Sequence, residues 1–173
     1  MATGFGLGYL PIAPGTWGSL GGVALAMGGP MLLVAFMGSL VAQVTGARAL
    51  ATGIKPQVID GILCVLVGLA GVWASRHAAM HFRKSDPGPV VIDEISGQLI
   101  AYLPLGALRF AGGGWKYVLL GFVLFRVLDI IKPPPARQAE KWRHGWGIMA
   151  DDWFAGLYAA LILWLVKWAG WLG

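Results

Sequence analysis

Long apolar runs separated by short polar links set the pattern of this chain. From about Ser19 to Val44 the sequence is apolar but broken by Gly28-Gly29-Pro30. That break predicts a kinked or split helix. The stretch ahead of it, GFGLGYLPIAPGTWGSLGG (4–22), is too rich in Gly and Pro to open as a regular helix. A polar link over about 45–57 leads to a second run, Val58 to Ala79, which ends in the basic turn RHAAMHFRKSDPGP (76–89). A third helix is expected from near Val90 to about Phe110, kinked at Pro104, before the break at Gly112-Gly113-Gly114. A fourth runs from about Trp115 to Ile131 and is stopped by Pro133-Pro134-Pro135. After a polar loop to about Gly147, a fifth covers about Met149 to Trp171. Runs near 20 residues match the hydrocarbon thickness of a bilayer. The expectation is an all-α, polytopic membrane helical bundle of about four to six helices, in a single domain over residues 1–173.

Composition supports this. The chain is 57% hydrophobic and 12% charged, with a mean hydropathy of +0.70, against about 25% charge in soluble domains. A net charge of +5 on such a chain points to anionic membrane lipids as partners. No basic run with interleaved aromatics offers a nucleic-acid groove, so nucleic acid is not an expected partner. Residues 1–47 carry no charge, so the basic start of a secretory signal is absent and the beginning reads as mature protein. Cys64 reads as a packed small hydrophobe. A Cys-x5-Arg phosphatase is excluded, because position 70 is alanine. Oligomeric state is left open by these features.

If each run crosses once, residues 1–18, 76–93 and 126–152 share one face. That face holds eight Lys and Arg, and the other holds five, which favours the first as cytoplasmic. Seven of the eight acids fall on it as well, with Asp60 alone opposite. Asp93 and Glu94 open the third helix, Asp129 closes the fourth, and Asp151 and Asp152 open the fifth. Three helix ends can bring these five carboxylates together. Singly, acids at helix N-termini cap and complement the dipole, and Asp129 can pair with Arg126 or Lys132. As a cluster they repel, and an oxygen-preferring divalent cation relieves that. Arg126, Asp129 and Lys132 step by three along one helix face, and two cations beside an acid cluster suit a phosphate.

The remaining polar residues have blander readings. His77 and His81 are surface histidines and His144 a solvated loop histidine. Asp60 caps the second helix, and Glu140 is a solvated charge. Thr16 and Ser19 either cap a helix or belong to a Gly-rich stretch whose backbone approaches a phosphate.

Four blocks, GFGLGYLPIAPGTWGSL (4–20), DPGPVVIDEISG (86–97), FRVLDIIKPPP (125–135) and GWGIMADDWFAG (145–156), together resemble the phosphatidylglycerophosphatase A family. The resemblance implies an all-helical, Mg²⁺-dependent lipid phosphatase of the bacterial inner membrane. Its reaction would convert phosphatidylglycerophosphate to phosphatidylglycerol and phosphate. It matches the family's acids to Asp86, Asp93, Glu94, Asp129, Asp151 and Asp152, and its basic pair to Arg126 and Lys132. Pro134 and Ala136 depart from the family's usual residues beside the acids. The combined expectation is one or two Mg²⁺ ions held by Asp93, Glu94, Asp129, Asp151 and Asp152, with Asp86 in support. Arg126 and Lys132, with Thr16 and Ser19, would bind the phosphate. Water activated by the metal would attack phosphorus in line, with an aspartyl-phosphate route as the covalent variant. The site would lie at the cytoplasmic surface of a multi-pass protein.

Two other functions compete. A CDP-alcohol phosphotransferase-like enzyme also uses acids, Mg²⁺ and lipids, but its D-G-x2-A-R…G-x3-D-x3-D pattern is absent. An ion transport protein would carry its acids near the bilayer midplane, whereas these fall at helix ends.

Overall fold

A computed structural model describes residues 1–45, 55–83, 87–142 and 145–172, with side chains from 40 to 45 left undescribed. Its helices are α1 (Pro14–Thr45), α2 (Pro56–Phe82), α3 (Ile92–Tyr102), α4 (Gly114–Ile131), the one-turn α5 (Ala136–Ala139) and α6 (Gly145–Trp168). Short 3-10 segments lie at Gly4–Tyr9 and Gly106–Phe110. No strand occurs among the described residues. Three helical stretches are long and apolar enough to cross a membrane: Pro14–Ser39, Pro56–Phe82 and Gly145–Trp168.

The bounds correct three sequence expectations. α1 is one helix that begins at Pro14 and continues through Pro30. Proline is compatible with a first helical position. Inside lipid the backbone has no water to turn to, so a helix is held together even across Gly and Pro. α3 is shorter than expected and stops at Tyr102. Pro104 has no N–H to extend the ladder. In the turn that follows, Leu103 N–H donates to the Ile100 carbonyl and Leu105 N–H to the Tyr102 carbonyl, and Lys167 Nζ donates to the Pro104 carbonyl at 2.7 Å. α6 begins at Gly145, well before the expected Met149.

α3 is the central element and packs most extensively against α6 and α1. Glycines make that approach close. A methyl on Gly18 would lie 2.8 Å from Val91 Cβ, and one on Gly22 would lie 2.7 Å from Gln98 Cβ. On the other side, a methyl on Gly97 would lie 2.7 Å from the Asp152 carbonyl oxygen, and one on Gly156 would collide with the Gly97 carbonyl. Small residues that let backbones touch are a standard device where lipid supplies no hydrophobic drive. Phe125, Ala101, Ala155 and Ala159 fill the core between α3, α4 and α6.

Away from the acid cluster, Asp60 and Arg109 form a buried ion pair at 2.6 Å, with side chains 6% and 0% exposed. Asp60 was expected to cap α2. The N-cap is instead Lys55, with no side-chain cap bond. Asp60 lies a turn further in, where a buried charge requires a partner of opposite sign.

Candidate functional site

α1, α3 and α6 start at the end of the bundle where α4 finishes. Asp93 and Glu94 lie in the first turn of α3. Asp151 and Asp152 lie beyond the first turn of α6, because that helix starts at Gly145. They are therefore not N-terminal caps, and the bland reading of these two as dipole partners is removed. Asp152 is buried, and its charged neighbours are Asp129, Asp93 and Glu94.

Ligand atoms of Asp93, Glu94 and Asp152 all lie within 4.8 Å of one another. Among the described residues this is the one group with geometry able to hold a metal ion. Carboxylate oxygens of Glu94 and Asp93 lie within interaction distance of each other. Glu94 Oε2 and Asp151 Oδ1 are buried with no hydrogen-bond partner. Buried carboxylate oxygens in that state are costly. An all-oxygen donor set of this kind fits a hard divalent cation.

The other two acids are held by cations. Arg126 Nη1 donates to Asp129 Oδ2 at 2.7 Å and to Ser19 Oγ at 3.3 Å. Lys132 Nζ donates to Asp151 Oδ2 at 2.7 Å and lies 3.5 Å from Glu140 Oε1. The five acids thus divide into three that converge and two that are ion-paired beside them. Burial alone would lower the Lys132 pKa. The hydrogen bond and charge of Asp151, with the charges of Glu140 and Asp152, outweigh that and hold the ammonium above its ordinary range.

Backbone geometry aims Lys132. It caps α4 in a left-handed conformation, φ 48°, with its N–H donating to the Leu128 carbonyl at 2.8 Å. A non-glycine residue there costs about 1 kcal/mol, and Pro133 next in the chain forbids the helix to continue. The turn brings the ammonium across to α6.

α1 contributes Ser19, fully buried, whose hydroxyl donates to the Gly15 carbonyl at 2.9 Å. Its position inside α1 excludes N-capping. Thr16 is half-buried in the first turn. Gly15 was missed in the sequence. A methyl there would collide with Glu94 Oε1 and lie 3.1 Å from Arg126 Nη1. Nothing in the sequence marks Gly15 apart from its Gly-rich surroundings. Ser96 was also missed. Its Oγ accepts from Trp153 Nε1 at 2.8 Å, tying α3 to the residue that follows Asp152.

Other candidates stand apart. His77 Nδ1 lies 2.7 Å from the Trp73 carbonyl, and His81 packs edge-on against Phe82. Glu140 is exposed, as expected, but is also an ion-pair partner of Lys132. Asp86 and His144 lie outside the described residues.

A family model described as phosphatidylglycerophosphatase A matches residues 1–167. A phosphatidylglycerophosphatase A of Haemophilus influenzae is 34% identical over 168 residues, covering 96% of this chain and 86% of that protein. The Escherichia coli protein of the same name is 32% identical, over 96% of this chain and 81% of its own. A Bacteroides thetaiotaomicron protein provisionally named phosphatidylinositol-3-phosphatase is also 32% identical, over 97% and 92%. No solved structure matches this chain.

Proposed function

Since the chain belongs to the phosphatidylglycerophosphatase A family, we propose that it hydrolyses phosphatidylglycerophosphate to phosphatidylglycerol and phosphate in a Mg²⁺-dependent reaction. The observation that carries this reading is the convergence of Asp93, Glu94 and Asp152 within 4.8 Å, beside Arg126 and Lys132. Such a site pairs a place for a hard cation with two donors for phosphate oxygens. Asp93, Glu94 and Asp152 would hold the metal, with Asp129 and Asp151 next to them. Bound there, Mg²⁺ would polarise the phosphate and ease ionisation of a water.

The chain's own groups account for the rest. Arg126 is fixed by Asp129 and Ser19, so its guanidinium is oriented before substrate arrives. Lys132 is fixed by Asp151. Together they offset charge on the phosphoryl oxygens as the bond to the glycerol oxygen breaks. Hydrolysis joins a water oxygen to phosphorus and leaves one water proton on the departing alcohol. Asp151 Oδ1, buried and without a hydrogen-bond partner, would be the acceptor for a proton in transit. The excess of Lys and Arg on the side of these residues favours a cytoplasmic-face site in a multi-pass inner-membrane protein.

Purified protein in detergent should release phosphate from phosphatidylglycerophosphate with Mg²⁺ and lose that release in EDTA. Release that persists in EDTA would remove the metal from the mechanism. Phosphatidylinositol 3-phosphate is the informative competitor, given the Bacteroides relative. It should be cleaved at least tenfold more slowly, the factor that about 1.4 kcal/mol of lost transition-state binding produces. Faster cleavage of the inositol lipid would reassign the substrate. Gly15→Ala should reduce kcat roughly 100-fold, the scale of an ångström-sized displacement of catalytic groups. Its methyl would push against Glu94 and Arg126, the far ends of flexible side chains, so the fold should survive. Steady-state kinetics beside a thermal unfolding curve checks both parts.

A further inference from the structure

A cavity of about 530 Å³ opens between the end of α2 and the start of α6. Leu69, Trp73, Arg76, His77, Met80 and Trp146 are among the residues that line it. Sites for small organic ligands have volumes of roughly 300–1,000 Å³. We propose that this cavity binds the head group of an anionic phospholipid from the surrounding leaflet, as a lipid that is held and not hydrolysed. The proposal does not depend on which lipid the acid cluster cleaves.

Charge and polarity identify the occupant. Along α2 the lining passes from Leu69 through Trp73 to Arg76 and His77, toward the helix end at Phe82. Apolar, then aromatic, then basic side chains follow the order of acyl chain, interface and head group in a leaflet. No carboxylate is among the described residues that line the cavity. Arg76 is exposed and has no ion-pair or hydrogen-bond partner among the described residues. A guanidinium in that state suits a phosphodiester, and a soluble anion would make no use of the apolar wall beside it. Basic pockets between membrane helices are a recurrent means of holding anionic head groups.

The walls are fixed before a lipid arrives. Gly145 seats the start of α6 on α2, since a methyl there would collide with the Val72 carbonyl and lie 2.8 Å from the Arg76 backbone nitrogen. His77 Nδ1 lies 2.7 Å from the Trp73 carbonyl, and the two ring centroids are 4.5 Å apart. Trp146 meets Trp153 edge to face at 6.1 Å, and Trp153 is tied to Ser96. Rings held in this way lose little freedom on binding. The cavity is distinct from the acid cluster, none of whose five carboxylates lines it. At 3.6 residues per turn, Asp151 and Asp152 lie roughly 140° and 120° round α6 from Trp146.

The test follows the unfolding temperature of the purified protein in dodecyl maltoside as phosphatidylglycerol is added. A ligand of the folded state raises that temperature. The rise should be absent with phosphatidylcholine and with inorganic phosphate. Arg76→Gln should need about fivefold more phosphatidylglycerol for half of the rise, the contribution of one basic residue near an anionic head group. Trp146→Ala should shift the titration in the same direction. Arg83 is exposed and does not line the cavity, so Arg83→Gln should titrate as the wild type does. Lys132→Gln, in the acid cluster, should also keep the rise. Equal weakening in Arg83→Gln would make the effect one of overall surface charge. A rise lost in Lys132→Gln and kept in Arg76→Gln would move the lipid to the acid cluster. Either result overturns the site, as does an equal rise with phosphatidylcholine or inorganic phosphate, or no rise at all. Phosphatase activity is not read in this titration, so its failure leaves the proposed function standing.

Discussion

Asp152→Asn is expected to lower phosphate release about a thousandfold and, in EDTA, to raise the unfolding temperature. Both effects follow from its place. Asp152 is buried, with Asp129, Asp93 and Glu94 as charged neighbours. Replacing the carboxylate by an amide removes a formal charge and weakens a ligand for a hard cation. Several kcal/mol of transition-state stabilisation is at stake in such a change, which is a factor of about a thousand in rate. Without cation the same carboxylates repel one another at close range and in poor contact with water. Removing one relieves that, and a gain near 1 kcal/mol is about 2–4 °C for a chain of this size. Residues kept for function often carry this opposition between activity and stability. Assays with Mg²⁺ and melting curves in EDTA read the two effects separately. An unfolding temperature that falls with activity would make Asp152 a structural residue and sink its assignment as a ligand.

Arg109→Met is expected to destabilise the protein by about 3–5 kcal/mol, the cost of leaving a buried charge without its partner. Asp60 would be left inside the bundle without its ion-pair partner. The fall in unfolding temperature should be near 10 °C. The double replacement Asp60→Leu with Arg109→Met should recover most of the loss. The pair is only partly satisfied, since Arg109 Nε and Nη1 and Asp60 Oδ2 are buried with no hydrogen-bond partner. An apolar pair of similar volume removes all of those groups from the interior at once. Thermal unfolding of the two single variants and the double variant in one detergent decides it. Additive losses in the double variant would show that packing, and not the charge, sets the cost. The stacking of Arg109 over Phe110, at 4.9 Å, is the packing that such a result would expose.

What the sequence made legible was chemistry at helix ends. Asp93, Glu94, Asp129, Arg126 and Lys132 are polar breaks in apolar runs, so their gathering at one end followed from counting crossings. The local partners were not legible. Arg126 and Lys132 were both three residues from Asp129, and spacing could not decide between them. The structure pairs Arg126 with Asp129 and sends Lys132 to Asp151, because a left-handed cap turns Lys132 away from its own helix. Helix bounds failed in both directions: α1 runs through Gly28-Gly29-Pro30, read as a kink or split, whereas α3, read through Pro104, stops at Tyr102. Propensities measured in water overstate the penalty when lipid denies the backbone any other partner, hence the unbroken α1. Gly15 and the Asp60–Arg109 pair depend on contacts between distant segments, which periodicity along one strand of sequence does not encode.

Five carboxylates gathered around two cationic side chains have a kinetic corollary. Asp93, Glu94, Asp129, Asp151 and Asp152 outnumber Arg126 and Lys132, so with all five ionised roughly three negative charges would stand uncompensated. A phosphate dianion approaching that excess is repelled, and both basic residues are already engaged. If the site takes the divalent cation proposed above, the head group would have to follow the cation. Scarcity of cation would then register as weakened substrate affinity before it registered as slower turnover. The enzyme would act as a coincidence detector, silent toward its lipid until the ion is in place.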